Sequence, residues 1–184
     1  MSWLAPFLSA TASFGFAAIL VLGVVVPKSG RGAFWPPPSV TSWQSRAFRW
    51  LFRIGVGSLL GLSIVLVRAQ PSSAPFALQG AAMFGLGFGM ALRITRQMGW
   101  GTAFGGQGRL ITQGWFAHSR NPVYVATWLG LVGWALLVPH YLALIPMALW
   151  AAVYVAASFW EEPWLRQTYG AAYDEYAERV PRFF

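Results

Sequence analysis

The chain reads VYVATWLGLVGWALLV-PH-YLALIPMALWAAVYVAASFW over residues 123–160. Neither apolar run, 123–138 or 141–160, contains Asp, Glu, Lys or Arg. About 20 such residues cross the hydrocarbon core of a bilayer as an α-helix. Because only Pro139 and His140 separate the two runs, they predict a tight hairpin of membrane helices. The first run is short for a full crossing.

Three further apolar runs precede this hairpin, at residues 6–26, 50–67 and 75–92. Hydrophobic residues make up 57% of the chain and charged residues 10%, whereas soluble domains carry roughly 25% charged residues. The first run lacks the basic start and cleavage site of a signal peptide, so we interpret it as a span. The sequence predicts an all-α integral membrane bundle of about five transmembrane helices, in a single domain, 1–184.

The basic residues indicate how the bundle is oriented. The 13 Lys and Arg residues lie at the ends of the apolar runs rather than in one continuous patch, which disfavours a nucleic-acid partner. With the N-terminus outside and the C-terminus cytoplasmic, only Arg68 would face outside. We expect a multi-pass protein of a bacterial inner membrane. Its cytoplasmic basic residues would be Lys28, Arg31, Arg46, Arg49, Arg53, Arg93, Arg96, Arg109, Arg120, Arg166, Arg179 and Arg182.

Two connections differ from the spans in composition. Residues 27–49 include Pro36-Pro37-Pro38 and several aromatic residues, which favours an extended surface segment. Residues 99–114 are rich in glycine, including Gly105-Gly106 and Gly108. Irregular backbone cannot face lipid, so we expect this connection in the cytoplasm or folded back over the bundle.

Glycines four residues apart occur in the second and third apolar runs. They are Gly57 and Gly61 in one run, and Gly85 and Gly89 in the other. This spacing is typical of close packing between membrane helices. The motif GLGFG at residues 85–89 also looks like part of a nucleotide-binding loop, but no strand precedes it, and helix packing is the better interpretation.

Cysteine and metal chemistry are not indicated. The chain has no Cys, which excludes disulfides, thiolate ligands and a Cys nucleophile. Its two histidines, His118 and His140, do not stand with carboxylates at metal-ligand spacing, so we expect no metal site.

All five acidic residues lie in the last 24 positions of the chain. The tail around them predicts an amphipathic cytoplasmic helix that starts near Pro163, since proline suits a first helical turn. One interpretation is a helix lying on the surface of the bundle; the other is a lid over a site. The predicted apolar face consists of Leu165, Tyr169, Tyr173, Tyr176 and Val180.

The hairpin brings two polar segments together at its open end. Asn121 and Pro122 suit the N-cap and first position of a helix, and the free amides there, with Arg120, could instead bind an anion. Glu161 and Glu162 follow the second run, where they either begin the next helix or meet a ligand. Together the two ends suit a zwitterionic, nucleotide-like cofactor.

Two motifs at this end carry a family resemblance. Residues 114–124, GWFAHSRNPVY, resemble the segment G-P-Y-x-Y-x-R-[HN]-P-x-Y of the isoprenylcysteine carboxyl methyltransferase and phospholipid methyltransferase superfamily. The tail, from Glu161-Glu162 through Tyr169-Gly170 to Val180-Pro181-Arg182-Phe183, looks like the second motif of that superfamily. The resemblance covers about 108–184, with Trp115, His118 and Ala126 departing from the usual pattern.

The resemblance implies methyl transfer from S-adenosylmethionine to a lipid-like or hydrophobic acceptor that arrives from the bilayer. Residues 99–184 would be the methyltransferase-like core, and residues 1–98 three spans with a basic loop. Arg120 and the helix start Asn121, Pro122 and Tyr124 would bind the methionyl carboxylate. Glu161 or Glu162 would bind the ribose or the ammonium group. The remaining implied roles are Tyr169, Tyr173 and Tyr176 over the adenosyl group, Arg166 as a brace for the carboxylates, and His118 as either a base or an interfacial histidine.

Other functions stay open at this point. An NADPH-dependent membrane reductase of sterol-reductase-like architecture would need basic residues for a 2′-phosphate, and Arg93, Arg96 and Arg109 could supply them. A non-enzymatic membrane scaffold would bind no cofactor. The residues do not indicate whether nitrogen, oxygen or sulfur accepts the methyl group, nor the oligomeric state.

Overall fold

The fold is taken from a computed structural model that describes residues 3–69, 73–103, 106 and 108–184. These residues form a membrane helical bundle, as the composition predicts. Gly105 lies outside the described residues. The helices in chain order are α1 Leu4–Lys28, α2 Trp43–Ala69, α3 Ala74–Met98, α4 Trp100–Ala103, α5 Pro122–Leu137, α6 Tyr141–Tyr169 and α7 Ala171–Arg179, with one turn of 3-10 helix at Gly114–Ala117.

Four of these helices are long and apolar enough to cross a membrane. They are α1, α2, α3 and α6, with mean hydropathies of 2.1, 2.0, 1.3 and 2.0 over their most apolar windows. The helix α5 is apolar but has only 16 residues, in keeping with its short apolar run. The chain is therefore an integral membrane protein, and its described residues contain four helices of spanning length and one shorter apolar helix.

The tail folds differently from its prediction. The helix α6 continues through Pro163 to Tyr169, so the predicted helix start near Pro163 is wrong. A proline removes one backbone hydrogen bond, and neighbouring groups or water can compensate for it. The chain turns instead at Gly170, whose φ of +54° lies in the region that favours glycine. The predicted apolar face still forms across this turn, since Tyr173, Tyr176 and Val180 are buried together.

The connection between α1 and α2 departs from its prediction in the middle. Residues 27–33 and 38–41 are exposed, but Phe34 and Trp35 are 0% and 6% exposed and lie in the interior. Burial of these large aromatic rings is favourable, and Pro36 and Pro37 are buried beside them. The helix α2 then starts at Trp43, earlier than the apolar run that predicted it. Residues of the N-terminal half thereby reach the interior at one end of the bundle.

The closest helix approach is between α3 and α5. A Cβ added at Gly87 would lie 2.2 Å from the amide nitrogen of Gly130, and one at Gly133 would lie 2.3 Å from that of Phe84. The backbones of the two helices therefore touch directly. The predicted packing pairs do not form this contact, because no atom of the described residues lies within 4 Å of a Cβ added at Gly57, Gly85 or Gly89.

We expect Gly87→Ala to lower the free energy of unfolding in detergent by about 1–3 kcal/mol, because the added methyl group must push two backbones apart. Gly85→Ala, two residues away on the same helix, should be neutral or stabilising by up to about 1 kcal/mol, since its methyl group enters open space. Unfolding in a denaturing detergent measures both changes. Equal stability of the two variants would contradict this account of the α3–α5 contact.

Candidate functional site

A cavity of about 330 Å³ lies at the end of the bundle where α5 begins and α6 ends. Its walls come from α2 to α7, together with the connections before α2 and before α5. The Gly-rich connection is folded over this end of the bundle, through Gly106 and Arg109. The predicted site residues that line the cavity are Arg120, Asn121, Pro122, Tyr124, Glu161, Glu162, Tyr169, Tyr173 and Tyr176.

Glu162 is held by two arginines in one wall of the cavity. Arg182 donates from Nε at 2.6 Å and from Nη2 at 2.8 Å to the two carboxylate oxygens. Nη1 of Arg120 lies 3.1 Å from Oε1, and the side chains of Arg120 and Glu162 are 12% and 9% exposed. Hydrogen bonding to this carboxylate raises the pKa of Arg182 above its ordinary value. One carboxylate thus faces two guanidinium groups, which leaves one excess positive charge.

Arg120 has further hydrogen-bonding capacity. Its Nη1 also donates to the hydroxyl of Tyr173 at 3.3 Å. Its Nε is buried and has no hydrogen-bond partner in the part of the chain that the structure describes. A buried donor without a partner is uncommon and calls for an explanation, and a ligand is one.

The last residues of the chain lie across the start of α5. The carbonyl of Pro181 accepts from the backbone amide of Arg120 at 2.9 Å, and the carbonyl of Arg182 accepts from Nδ2 of Asn121 at 3.0 Å. Asn121 precedes Pro122 as predicted, but its side chain does not cap the helix. Its own amide donates to Oγ of Ser119 at 3.2 Å. The guanidinium of Arg120, which lines the cavity, therefore supplies positive charge beside the start of α5.

Glu161 has a different environment from its neighbour. Its Oε1 accepts from the indole Nε1 of Trp35 at 2.5 Å and from the hydroxyl of Tyr124 at 2.6 Å. Its Oε2 has no hydrogen-bond partner among the described residues, and no arginine forms an ion pair with it there. Glu161 lines the cavity with this acceptor still available.

The three tyrosines of the tail close one side of the cavity. Tyr169 donates its hydroxyl to the carbonyl of Gly108 at 2.6 Å, and Tyr176 donates to the carbonyl of Phe116 at 2.7 Å. Burial raises the pKa of Tyr176 to about 12, and burial also raises the pKa of Tyr173. These hydroxyls are therefore neutral at physiological pH, and those of Tyr169 and Tyr176 fasten the end of α6 and α7 to the connection before α5.

Two of the predicted site residues lie away from the cavity. Arg166 donates from Nε to Asp174 at 3.2 Å, with both side chains more than half exposed, and it does not line the cavity. His118 is exposed and does not line the cavity either. Among the basic residues considered for a 2′-phosphate, Arg109 lines the cavity, while Arg93 and Arg96 are exposed and do not.

Two residues of this site were not singled out from the sequence. Arg182 stands in the tail motif, and its position there was the only signal that could have indicated a role. Trp35 had no such signal, because it is 126 residues away from Glu161 in the chain.

Fold and cavity together define an integral membrane helical protein with a cavity lined by charged residues at the end of a helical hairpin. Residues 76–172 match the family model described as phospholipid methyltransferase. The match covers more than half of the chain, so the protein belongs to the phospholipid methyltransferase family and is a membrane methyltransferase. The resemblance inferred from the two motifs is confirmed. No curated protein and no solved structure matches the chain.

The matched region, 76–172, differs at both ends from the residues 108–184 that carry the resemblance in the sequence. It begins at residue 76 and so includes α3, in which the sequence showed no family signature. It ends at residue 172, before Tyr173, Tyr176 and Arg182. Trp35 and α2 also lie outside it.

Proposed function

We propose that the protein transfers a methyl group from S-adenosylmethionine to a lipid-like or hydrophobic acceptor at the membrane boundary. The observation that carries the proposal is that one cavity is lined by a residue with a buried donor and by a residue with a carboxylate oxygen, both without a partner among the described residues. The buried Nε of Arg120 has no partner among the described residues, and neither does Oε2 of Glu161. One is a cationic donor and the other an anionic acceptor, which is the complement of a zwitterion.

The residues of the cavity fit this cofactor. Arg120, which lines the cavity, would hold the methionyl carboxylate, since guanidinium groups bind carboxylates with hydrogen bonds between charged groups. Glu161 would accept from the ammonium group or the ribose hydroxyls. The tyrosines Tyr169, Tyr173 and Tyr176 offer aromatic surface for the adenosyl part. The volume of about 330 Å³ lies within the range usual for small-molecule sites, roughly 300–1,000 Å³.

Methyl transfer from a sulfonium requires little proton transfer by the side chains of the protein. When bound, S-adenosylmethionine supplies an electrophilic methyl group on its sulfonium. The side chains of the cavity hold the reactants in line and keep water away, which lowers the barrier through orientation. The exposed position of His118 argues against a direct role as base, and we assign no catalytic acid or base.

The acceptor would reach the cavity from the bilayer between α2 and α3. Phe48 and Phe52 of α2 and Thr95 and Met98 of α3 line the cavity. Apart from Thr95 these side chains are apolar, which suits an acceptor with hydrocarbon character. With the basic residues at this end of the bundle, we propose that the cavity faces the cytoplasm and that the N-terminus lies outside.

Calorimetric titration of the purified protein with S-adenosylmethionine tests the proposal. We expect Arg120→Ala to weaken the affinity by about 10- to 100-fold, because a hydrogen bond between charged groups contributes about 1.5–3 kcal/mol. Arg96→Ala, an exposed arginine outside the cavity, is the matched control and should bind as the wild type does. Titration with NADPH runs in parallel.

Three results would contradict the proposal. Wild-type protein that fails to bind S-adenosylmethionine removes its basis. Unchanged affinity in Arg120→Ala removes the site assignment. Binding of NADPH in its place favours the reductase. Incubation with methyl-labelled S-adenosylmethionine and a membrane lipid extract, followed by identification of the labelled product, then names the acceptor.

A further inference from the structure

Trp35 reaches the cavity from outside the region that matches the family. It lies in the connection between α1 and α2, and the match begins only at residue 76. Its side chain is 6% exposed and lines the cavity. The N-terminal half of the chain therefore contributes a buried polar group to the site.

The indole of Trp35 and the hydroxyl of Tyr124 donate to the same oxygen of Glu161. The distances are 2.5 Å from Nε1 of Trp35 and 2.6 Å from Oη of Tyr124. Two donors from different segments of the chain fix the rotation of the carboxylate about its last bond. They saturate Oε1 and leave Oε2 as the oxygen that a ligand can reach.

The same two donors are the ends of a continuous row of stacked rings. Adjacent centroids are separated by 4.2, 5.8, 6.3 and 4.4 Å, and the interplanar angles are between 10° and 27°. The rings are, in order, Trp35, Phe48, Phe52, Tyr154 and Tyr124. The row starts and finishes at Glu161, so each donor is held in place by a ring that packs on it. Such packing restricts the indole to one orientation.

We propose that Trp35 is a positioning residue that presents Oε2 of Glu161 to the ligand. The proposal rests on the proposed function, in which Glu161 binds the cationic or hydroxyl part of S-adenosylmethionine. Trp35 acts through Glu161 rather than on the reacting atoms. The simpler alternative is that Trp35 only fills space between α2 and the cavity. Removal of the indole N–H alone would weaken ligand binding under the first interpretation and leave it unchanged under the second.

Trp35→Phe keeps an aromatic ring in the stack and removes the indole N–H. We expect it to weaken S-adenosylmethionine binding by about tenfold, since a hydrogen bond to a charged group contributes at least about 1.5 kcal/mol. Trp134→Phe is the matched control. Trp134 is 5% exposed, its Nε1 donates to Oγ of Ser63 at 2.9 Å, and it does not line the cavity. The control should lose comparable thermal stability and keep the wild-type affinity.

Combination with Glu161→Gln separates positioning from packing. If Trp35 acts through Glu161, Trp35→Phe should add little to the loss already caused by Glu161→Gln. A tenfold loss from Trp35→Phe in both backgrounds would mean that the indole acts independently of Glu161 and would overturn the proposal. Wild-type affinity in Trp35→Phe would overturn it as well.

A second measurement does not depend on the cofactor. A hydrophobic carbodiimide modifies carboxyl groups, and mass spectrometry of the digested protein gives the rate at Glu161. We expect this rate to rise about tenfold in Trp35→Phe, because the carboxyl group loses a donor that restrains it, and to stay unchanged in Trp134→Phe. Faster labelling in a protein that fails to bind S-adenosylmethionine would refute the proposed function but support the positioning role. An unchanged rate refutes the positioning role alone.

Discussion

Glu162→Gln lowers the free energy of unfolding by about 3–5 kcal/mol, which is the usual result when one partner of a buried ion pair is removed. The carboxylate of Glu162 neutralises Arg182 at 2.6 Å and Arg120 at 3.1 Å. A neutral amide leaves these two guanidinium groups close together without the negative charge between them. Titration with a denaturing detergent, followed by circular dichroism, measures the change.

The tail provides an exposed ion pair as the control for Glu162→Gln. Asp174→Asn breaks the pair between Arg166 and Asp174, whose side chains are 53% and 57% exposed, and should cost less than about 1 kcal/mol. Adding Arg182→Gln to Glu162→Gln should recover part of the stability, because one of the facing cations is gone. A loss below 1 kcal/mol in Glu162→Gln would show that the cluster does not stabilise the fold.

Glu161→Gln should instead cause a large loss of affinity for S-adenosylmethionine and a small loss of stability. The amide oxygen still accepts from Trp35 and Tyr124, so the internal contacts of this side chain persist. The negative charge that faces the cavity disappears. We expect the affinity for S-adenosylmethionine to fall by about 10- to 100-fold, which corresponds to about 1.5–3 kcal/mol for a charged hydrogen bond.

Calorimetry and a thermal unfolding scan of the same preparation separate the two effects. Glu175→Gln, a change to an exposed acidic residue on α7, is the control and should alter neither quantity. Glu161→Gln with wild-type affinity and lowered thermal stability would mean that both carboxylates are structural. Two adjacent residues with opposite outcomes would be the strongest support for the division of roles described above.

The sequence predicted the helices and the pairing of two segments well, because these depend on local signals. Runs of apolar residues define the spans, and a two-residue connection forces residues 120–124 and 161–166 to one end of a hairpin. Two failures have a common cause. Pro163 suggested a helix start and Pro36 a surface loop, but packing of the neighbouring aromatic and apolar side chains overrode both local preferences.

The division between Glu161 and Glu162 could not be predicted from the sequence. Both are glutamates at the end of one span, and successive residues of a helix point about 100° apart. One side chain therefore turns toward Arg182 of the tail, and the other toward Trp35 of the N-terminal half. Neither partner is close in the chain, so no spacing rule identifies it.

The length of α6 has a consequence for the choice of substrate. At about 1.5 Å per residue, its 29 residues extend roughly 44 Å, and Glu161 lies roughly 30 Å from Tyr141, about the thickness of the hydrocarbon core. The length of this helix would therefore set the depth of the cavity relative to the lipid headgroups. We expect the protein to discriminate between acceptors by how far the reactive atom stands from the acyl region. Lengthening or shortening the hydrocarbon tail should matter much less.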